Sequence, residues 1–467
     1  MGHSLSRGRD VPCDIEPSGT DSQGSAEPEY VARCWEVEAI EPGAELGPTS
    51  VKGRLKSCLQ FWESELEAPA SVLSTIKTGY VLPLKSEPTP FSKQNQASAR
   101  LHAQFVHQSV AELLVGGCIR EVPEQPYICS PFSVVTGSGA KKRLVINLRH
   151  LNKFLWKQKF KYEDLRVAML LFEPGDYLFS FDLKSGYHHV DIADHHCKYL
   201  GFAWDGHFYV FTVLPFGLAT ACYMLTKLLR PLVRYWRARG LRILVYLDDG
   251  LCAVAGKKEA LWASQFVRST LAKAGLLEHP VKSIWDPTQR LPWLGFVIDL
   301  ALGQIEVPQE KLAALQQRID QACQMALIPA KQLAGIVGRI ISMGLAIGPV
   351  SRFMTRSLYT TLETRWAWCD LLGLSPEARA ELLFWSASLA EYTSQPIWRS
   401  PSAMRVVYSD ASDTGYGGYV VEHGKCVSFG QWTADEAGQS STWREFSAVY
   451  QVLLAVACKL ANTLVYG

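Results

Sequence analysis

Tyr246-Leu247-Asp248-Asp249 is the stretch on which the reading of this chain turns. Two adjacent carboxylates end an apolar run, Leu241-Arg242-Ile243-Leu244-Val245. A second apolar run, Leu251-Cys252-Ala253-Val254, follows Gly250. The pattern predicts a β-hairpin with both aspartates at its tip. Neighbouring carboxylates beside a hydrophobic sheet repel each other and are costly to desolvate. A divalent cation removes that cost, and two Mg2+ ions on a carboxylate cluster form the arrangement that joins nucleotides. Taken alone, an Asp-Gly turn with a solvated Asp248 explains the stretch as well.

Working outward, the 467 residues are 48% hydrophobic and can bury the cores of roughly two to four domains. The formal charge of +2 carries no information about partners. Its distribution does. Lys141, Lys142, Arg143, Arg149, Lys153, Lys157, Lys159 and Lys161 form a stretch without an acid, interleaved with Phe154, Trp156 and Phe160. Cations with aromatics suit a nucleic-acid backbone and its bases, although a solvated basic face has the same composition. The cysteines are scattered without C-x-x-C spacing, which argues against a zinc knuckle or a disulfide framework and for a reducing, intracellular setting, cytoplasmic or nuclear. An N-terminal signal core and a membrane-length apolar run are both lacking.

Residues 1–50 are rich in Gly, Ser, Pro and Glu and are expected to be a disordered tail. Short amphipathic pieces follow at Leu59 to Trp62 and Val72 to Ile76. A helix is predicted from Ala99 to the Gly116-Gly117 pair. Pro131 to Val135 and Arg143 to Ile146 read as paired strands around Gly137-Ser138-Gly139, and Leu178 to Phe181 as another strand. Ala219 to Arg239 reads as a helix, with Pro231 a candidate kink and Lys227, Arg230, Arg234 and Arg237 near one face. The class is α+β rather than a simple βαβ winding. Residues 310–390 read as helical, and Arg405-Val406-Val407-Tyr408 opens a new α+β unit.

Asp182 closes the strand Leu178 to Phe181. The interval to Asp248 leaves room for one hairpin and one helix, so the two strand ends can lie side by side and three carboxylates can converge. Between them stands Leu214-Pro215-Phe216-Gly217-Leu218. Arg143 to Lys153 lies upstream, and Trp293-Leu294-Gly295-Phe296 downstream.

In this order these blocks resemble the fingers and palm of a reverse transcriptase. Arg143 to Lys153 resembles the fingers motif, and Ser180-Phe181-Asp182 to Tyr187 the first palm motif. Leu214 to Leu218 and Tyr246 to Asp249 resemble the second and third. Lys282 stands where the family keeps a lysine, and Trp293 with Gly295 matches the primer grip. Residues 328–338 and 356–359 are similar to the thumb and connection of tyrosine-recombinase (DIRS-type) retrotransposons. Tyr408-Ser409-Asp410, Gly415 to Gly418 and Trp443 to Ala448 resemble the start of a ribonuclease H domain. The resemblance implies a right-hand polymerase with fingers and palm at 51–300, a helical thumb and connection at 301–400, and a partial ribonuclease H-like domain at 401–467.

The same resemblance implies roles. Asp182, Asp248 and Asp249 would hold two Mg2+ ions, with the main-chain carbonyl of Leu183 assisting and Mn2+ a tolerated substitute. Arg143 and Lys142 would hold the triphosphate of a dNTP, Tyr187 would lie beneath its sugar, and Phe216 would give an apolar contact. Lys282 would hand a proton to pyrophosphate. The partners implied are an RNA or DNA template with its primer, and dNTPs, with no membrane. Asp410 and Glu445 would be two of four nuclease acids; the others lack counterparts in the chain, so nuclease activity is expected to be impaired. His188, His189, His195 and His196 look like metal ligands, but strand alternation would turn His188 and His189 to opposite faces. Two rival readings stand beside the polymerase: a decayed or domesticated copy that only binds nucleic acid, and a nuclease acting on RNA–DNA hybrids.

Overall fold

The structure is a computed structural model that describes residues 50–137, 142–398, 404–421, 427–460 and 464–466. The expected N-terminal tail and the tip at Lys141 lie outside the described residues. Residues up to Ile397 form one compact unit, and a second begins at Trp398.

In the first unit, the predicted helix over 99–116 is a short turn, Ala97–Leu101, followed by α1, Ala103–Val115. Val106, Val110 and Leu113 recur at helical spacing and are buried. The chain turns out of the helix at Gly117, whose φ of 68° is costly for a residue with a Cβ. The next strands are β1, Phe132–Thr136, and β2, Lys142–Ile146, antiparallel with Val135 opposite Arg143. A five-stranded sheet, drawn from residues 91–92, 128–129, 201–204, 207–211 and 119–122, completes this region.

The central sheet is built from β3, Asp176–Asp182, β4, Arg242–Tyr246, β5, Asp249–Ala255, and β6, Ile284–Thr288. Their spatial order is β6-β3-β5-β4, all antiparallel. Two helices pack on it: α2, Ala221–Arg237, and α3, Lys257–Lys273. Pro231 is accommodated inside α2, which runs on for six more residues. The basic face expected on α2 is partly spent on the protein itself. Arg234 donates to the carbonyls of Leu66 and Glu67, and Arg237 to the Ile243 carbonyl and the Glu163 carboxylate.

Beyond it, β7, Arg290–Trp293, and β8, Phe296–Asp299, form a hairpin extended by β9, Gln304–Glu306. The helices of residues 310–390 follow, among them α4, Gln309–Cys323, α5, Ala330–Ser342, α6, Arg356–Glu363, and α7, Pro376–Ser388. The last strand of this unit, β10, Ser394–Pro396, pairs back on β9.

The second unit has its own sheet of β11, Met404–Ala411, β12, Gly415–Val420, β13, Val427–Gln431, and β14, Leu464–Tyr466. Helix α8, Ser441–Leu460, covers one face through Val452 and Val456, which meet Val407 and Val420. No disulfide joins the described cysteines, and none of the described helices is long and apolar enough to cross a membrane.

Candidate active site

Register places the acids. Asp182 on β3 is the direct cross-strand partner of Asp249 on β5. Such partners share a face of a sheet. The neighbouring pair, Phe181 opposite Gly250, therefore points to the other face, where Phe181 meets Trp236 of α2. The turn joining β4 to β5 is Leu247-Asp248, because Tyr246 pairs with Asp249. The hairpin tip is thus one residue earlier than the tip of both aspartates expected from sequence, and two earlier than an Asp249-Gly250 turn would put it. Leu247 takes the left-handed backbone, φ 55°, and Gly250 sits within the strand. Gly250 is required for space: a Cβ there would lie 2.2 Å from the Phe181 ring.

Asp248 is brought in by backbone. Its carbonyl accepts the Leu183 amide at 3.0 Å, and the Gly186 backbone packs so closely that a Cβ would lie 3.2 Å from Asp248 Cβ. Asp182 is fixed from the opposite side: its amide donates to Ser283 Oγ at 3.1 Å, and its carbonyl accepts the His279 amide at 2.7 Å. Lys282 Nζ lies 3.7 Å from Asp182 Oδ1, and the Asp182 side chain is 13% exposed. All three aspartates and Lys282 therefore meet at one end of the central sheet.

Hard carboxylate oxygens suit Mg2+, so the donor chemistry fits the implied cation pair. Among the described residues, however, no three His, Cys, Asp or Glu side chains are gathered closely enough to cage an ion as they stand. Asp182 and Asp249 are juxtaposed by the sheet rather than by a closed pocket.

Next to this end, Tyr187 lies in a 3-10 turn, Gly186–His189, entered through Ser185 at φ 50°. Its ring is 3% exposed and meets Phe216 edge-on, centroids 4.7 Å apart. The Phe216 turn is held by buried Asn152, which donates to the Gly217 carbonyl and accepts the Ala219 amide, both at 2.9 Å. Thus the Arg143 to Lys153 block and the Leu214 to Leu218 turn are physically joined. His188 and His189 share the 3-10 turn rather than a strand, and both are buried. The Nδ1–H of His189 donates to Gly186 O, and its Nε2 accepts the Leu277 amide at 3.0 Å. Burial holds its imidazole down at about 4, so it stays neutral. His196 Nδ1 accepts the Leu82 amide. These two histidines join backbone segments.

Lys142 and Arg143 open β2. Trp293 and Gly295 flank and form the β7–β8 turn, in which Leu294 and Gly295 have φ of 46° and 78°, as a two-residue primed turn requires. In the basic stretch, Lys153, Lys157, Lys159 and Lys161 are exposed, and Lys85 sits over the Trp156 ring. Tyr162 stacks on Tyr246 at 4.8 Å, and Phe160 meets Tyr223. That contact escaped the sequence reading, as did Ser283, Cys222 and the role of His189 in linking backbone segments. Neither Ser283 nor Cys222 stands in a pattern of its own.

In the second unit, Asp410 and Glu445 line a cleft of about 220 Å³ together with Ser409, Ser441, Thr442, Phe446 and Val449. The expected pair of acids is therefore brought together, on β11 and α8.

Residues 137–298 match the family described as "Reverse transcriptase (RNA-dependent DNA polymerase)". The chain is 24% identical to the retrovirus-related Pol polyprotein from transposon gypsy of Drosophila melanogaster, over 67% of this chain and 30% of that polyprotein. It is 31% identical to the corresponding polyprotein from transposon 297 of the same organism, over 40% of this chain and 18% of the other. The chain thus spans well under half the length of these relatives. Among solved structures, the foamy viral protease-reverse transcriptase in complex with dsDNA superposes with a TM-score of 0.57 at 17% identity, covering 91% of this chain and 88% of that one. Its complex with RNA/DNA hybrid gives 0.58 at 16% identity, covering 92% of this chain and 58% of the other. The likeness to tyrosine-recombinase elements rests on residues 328–338 and 356–359 alone. The fold is that of a right-hand polymerase, and residues 137–298, across the sheet that carries Asp182, Asp248 and Asp249, match a reverse transcriptase domain.

Proposed function

We propose that the first unit is an RNA-directed DNA polymerase that extends a primer on an RNA or DNA template with dNTPs. The observation that supports this most is the Asp182–Asp249 register, with Asp248 tied to Leu183 at the same sheet end. In the reaction, the primer 3′-oxygen bonds to the α-phosphorus of the dNTP, the bond to the bridging oxygen breaks, and pyrophosphate leaves. Held by Asp182, Asp248, Asp249 and the Leu183 carbonyl, two Mg2+ ions, or Mn2+ in their place, would supply neutralising charge at the hydroxyl and the leaving group. The chain's own groups do the positioning, which carries most of the catalysis in such transfers. Arg143, through its planar fork, and Lys142 hold the triphosphate. Tyr187, backed by Phe216, forms the floor under the sugar. Lys282 delivers a proton to pyrophosphate. Trp293 and the Gly295 turn hold the primer end, and Lys153 to Lys161 contact the template backbone.

A homopolymer RNA template with a DNA primer, incubated with the purified chain and Mg2+ or Mn2+, tests this against a binder that has lost catalysis. Extension is expected. Tight binding without extension would favour the non-catalytic reading.

For the second unit, the cleft of Asp410 and Glu445 supports a ribonuclease H-like reading. Two carboxylates among the lining residues are too few to fix two ions side by side, so we expect no release of RNA fragments from an RNA–DNA hybrid.

A further inference from the structure

The Tyr187 hydroxyl and Cys222 Sγ lie 3.1 Å apart and share a hydrogen bond. Cys222 is half-buried in the first turn of α2. We propose that Cys222 is a positioning residue that sets discrimination between deoxyribose and ribose by holding the Tyr187 ring. This rests on the reading of Tyr187 as the floor of the sugar site.

The ring is fixed at two places. Phe216 packs edge-on against its face, which constrains tilt, and Cys222 holds the hydroxyl end, which constrains swing. The backbone before the ring lies close to its neighbours: a Cβ on Gly186 would come within 3.2 Å of Asp248 Cβ and 3.4 Å of Leu225 Cδ2. Cys222 is itself anchored. Its carbonyl accepts the Thr226 hydroxyl at 2.8 Å, and Asn152 ties the chain leading into α2, at Ala219, to Gly217 beside Phe216. Tyr187, Phe216 and Cys222 therefore form one linked unit, and the thiol controls how far the ring can move from the place a 2′-hydroxyl would occupy. Such exclusion depends on a ring that stays put, since a mobile ring leaves room for the larger sugar.

The test is single-nucleotide incorporation by the full chain on a primed template, measuring kcat and KM for a dNTP and the matching rNTP. Cys222→Ala should lower dNTP-over-rNTP selectivity about three- to ten-fold, the range of one hydrogen bond, mainly through KM. Cys222→Ser, which keeps a hydroxyl able to donate or accept, should restore it. In a Tyr187→Phe background, Cys222→Ala should have no further effect, since no hydroxyl is left to hold. Equal selectivity in Cys222→Ala and wild type would overturn the proposal, as would a loss of the same size in the Tyr187→Phe background or failure of serine to rescue. Tyr187→Val separates the two levels. If it too leaves selectivity unchanged, the sugar-site reading fails; if it alone relaxes selectivity, only the role of Cys222 fails.

Discussion

Tyr187 is buried within the hydrophobic core, with Phe216 against its ring and Cys222 at its hydroxyl. Truncation to Val should open space beside the sugar and raise rNTP use relative to dNTP by about tenfold or more, the scale of losing a tightly packed contact. An unchanged ratio in steady-state incorporation would assign Tyr187 to packing. His189 makes a different prediction. Its folded imidazole is held near 4, against an ordinary value of 6.5, chiefly by burial. As pH falls below about 6.5, the unfolded chain takes up a proton that the folded site refuses. The stability His189 contributes is therefore complete above that pH and is lost on the way down to about 4, at up to about 1.4 kcal/mol per pH unit. Thermal melts of wild type and His189→Gln from pH 7.5 to 4.5 should show a shallower slope in the variant. Parallel slopes would mean that another group carries the acid sensitivity.

The central sheet shows which elements are legible in sequence. The apolar run Leu178 to Phe181 before Asp182 predicts β3, and two further apolar runs predict β4 and β5, because strands buried on both faces read as short continuous apolar runs. The turn was misplaced by one residue because Asp249-Gly250 imitates a turn dipeptide. The decisive partner of Gly250, Phe181, is distant in sequence. His188 and His189 were read as strand residues for the same reason: the Ser185 backbone that starts the 3-10 turn has no local signature. The Tyr187–Cys222 and Asn152–Gly217 contacts join separate segments, and no spacing rule can reveal them. Two substitutions test the sheet. Gly250→Ala must displace the Phe181 ring from between Trp285 and Trp236, at a cost of about 1–3 kcal/mol, with loss of activity. At the opposite end, Asp176 is buried and holds Arg242 across β5 through two contacts of 2.6 and 2.7 Å. Asp176→Asn should cost about 3–5 kcal/mol in denaturant melts, since it leaves Arg242 partly buried with only the exposed Glu173 carboxylate, 3.5 Å away, as counter-charge. A change below about 1 kcal/mol would show that water replaces the partner.

At the scale of the whole molecule, three aspartates set at one end of the central sheet by register and backbone are the feature from which the polymerase reading follows. Template-primer affinity should come from many dispersed contacts to phosphates, and catalysis from this one sheet end. The two should therefore separate in a single variant. The most direct measurement is the rate of one complementary dNTP addition to a primer on an RNA template, at saturating protein, for wild type and Asp248→Asn, with template-primer binding measured on the same samples. The substitution keeps size and removes a charged oxygen donor. The expected result is a rate reduced at least about a hundredfold with binding within about twofold. Near wild-type addition by Asp248→Asn would contradict the assignment of these aspartates as the catalytic centre.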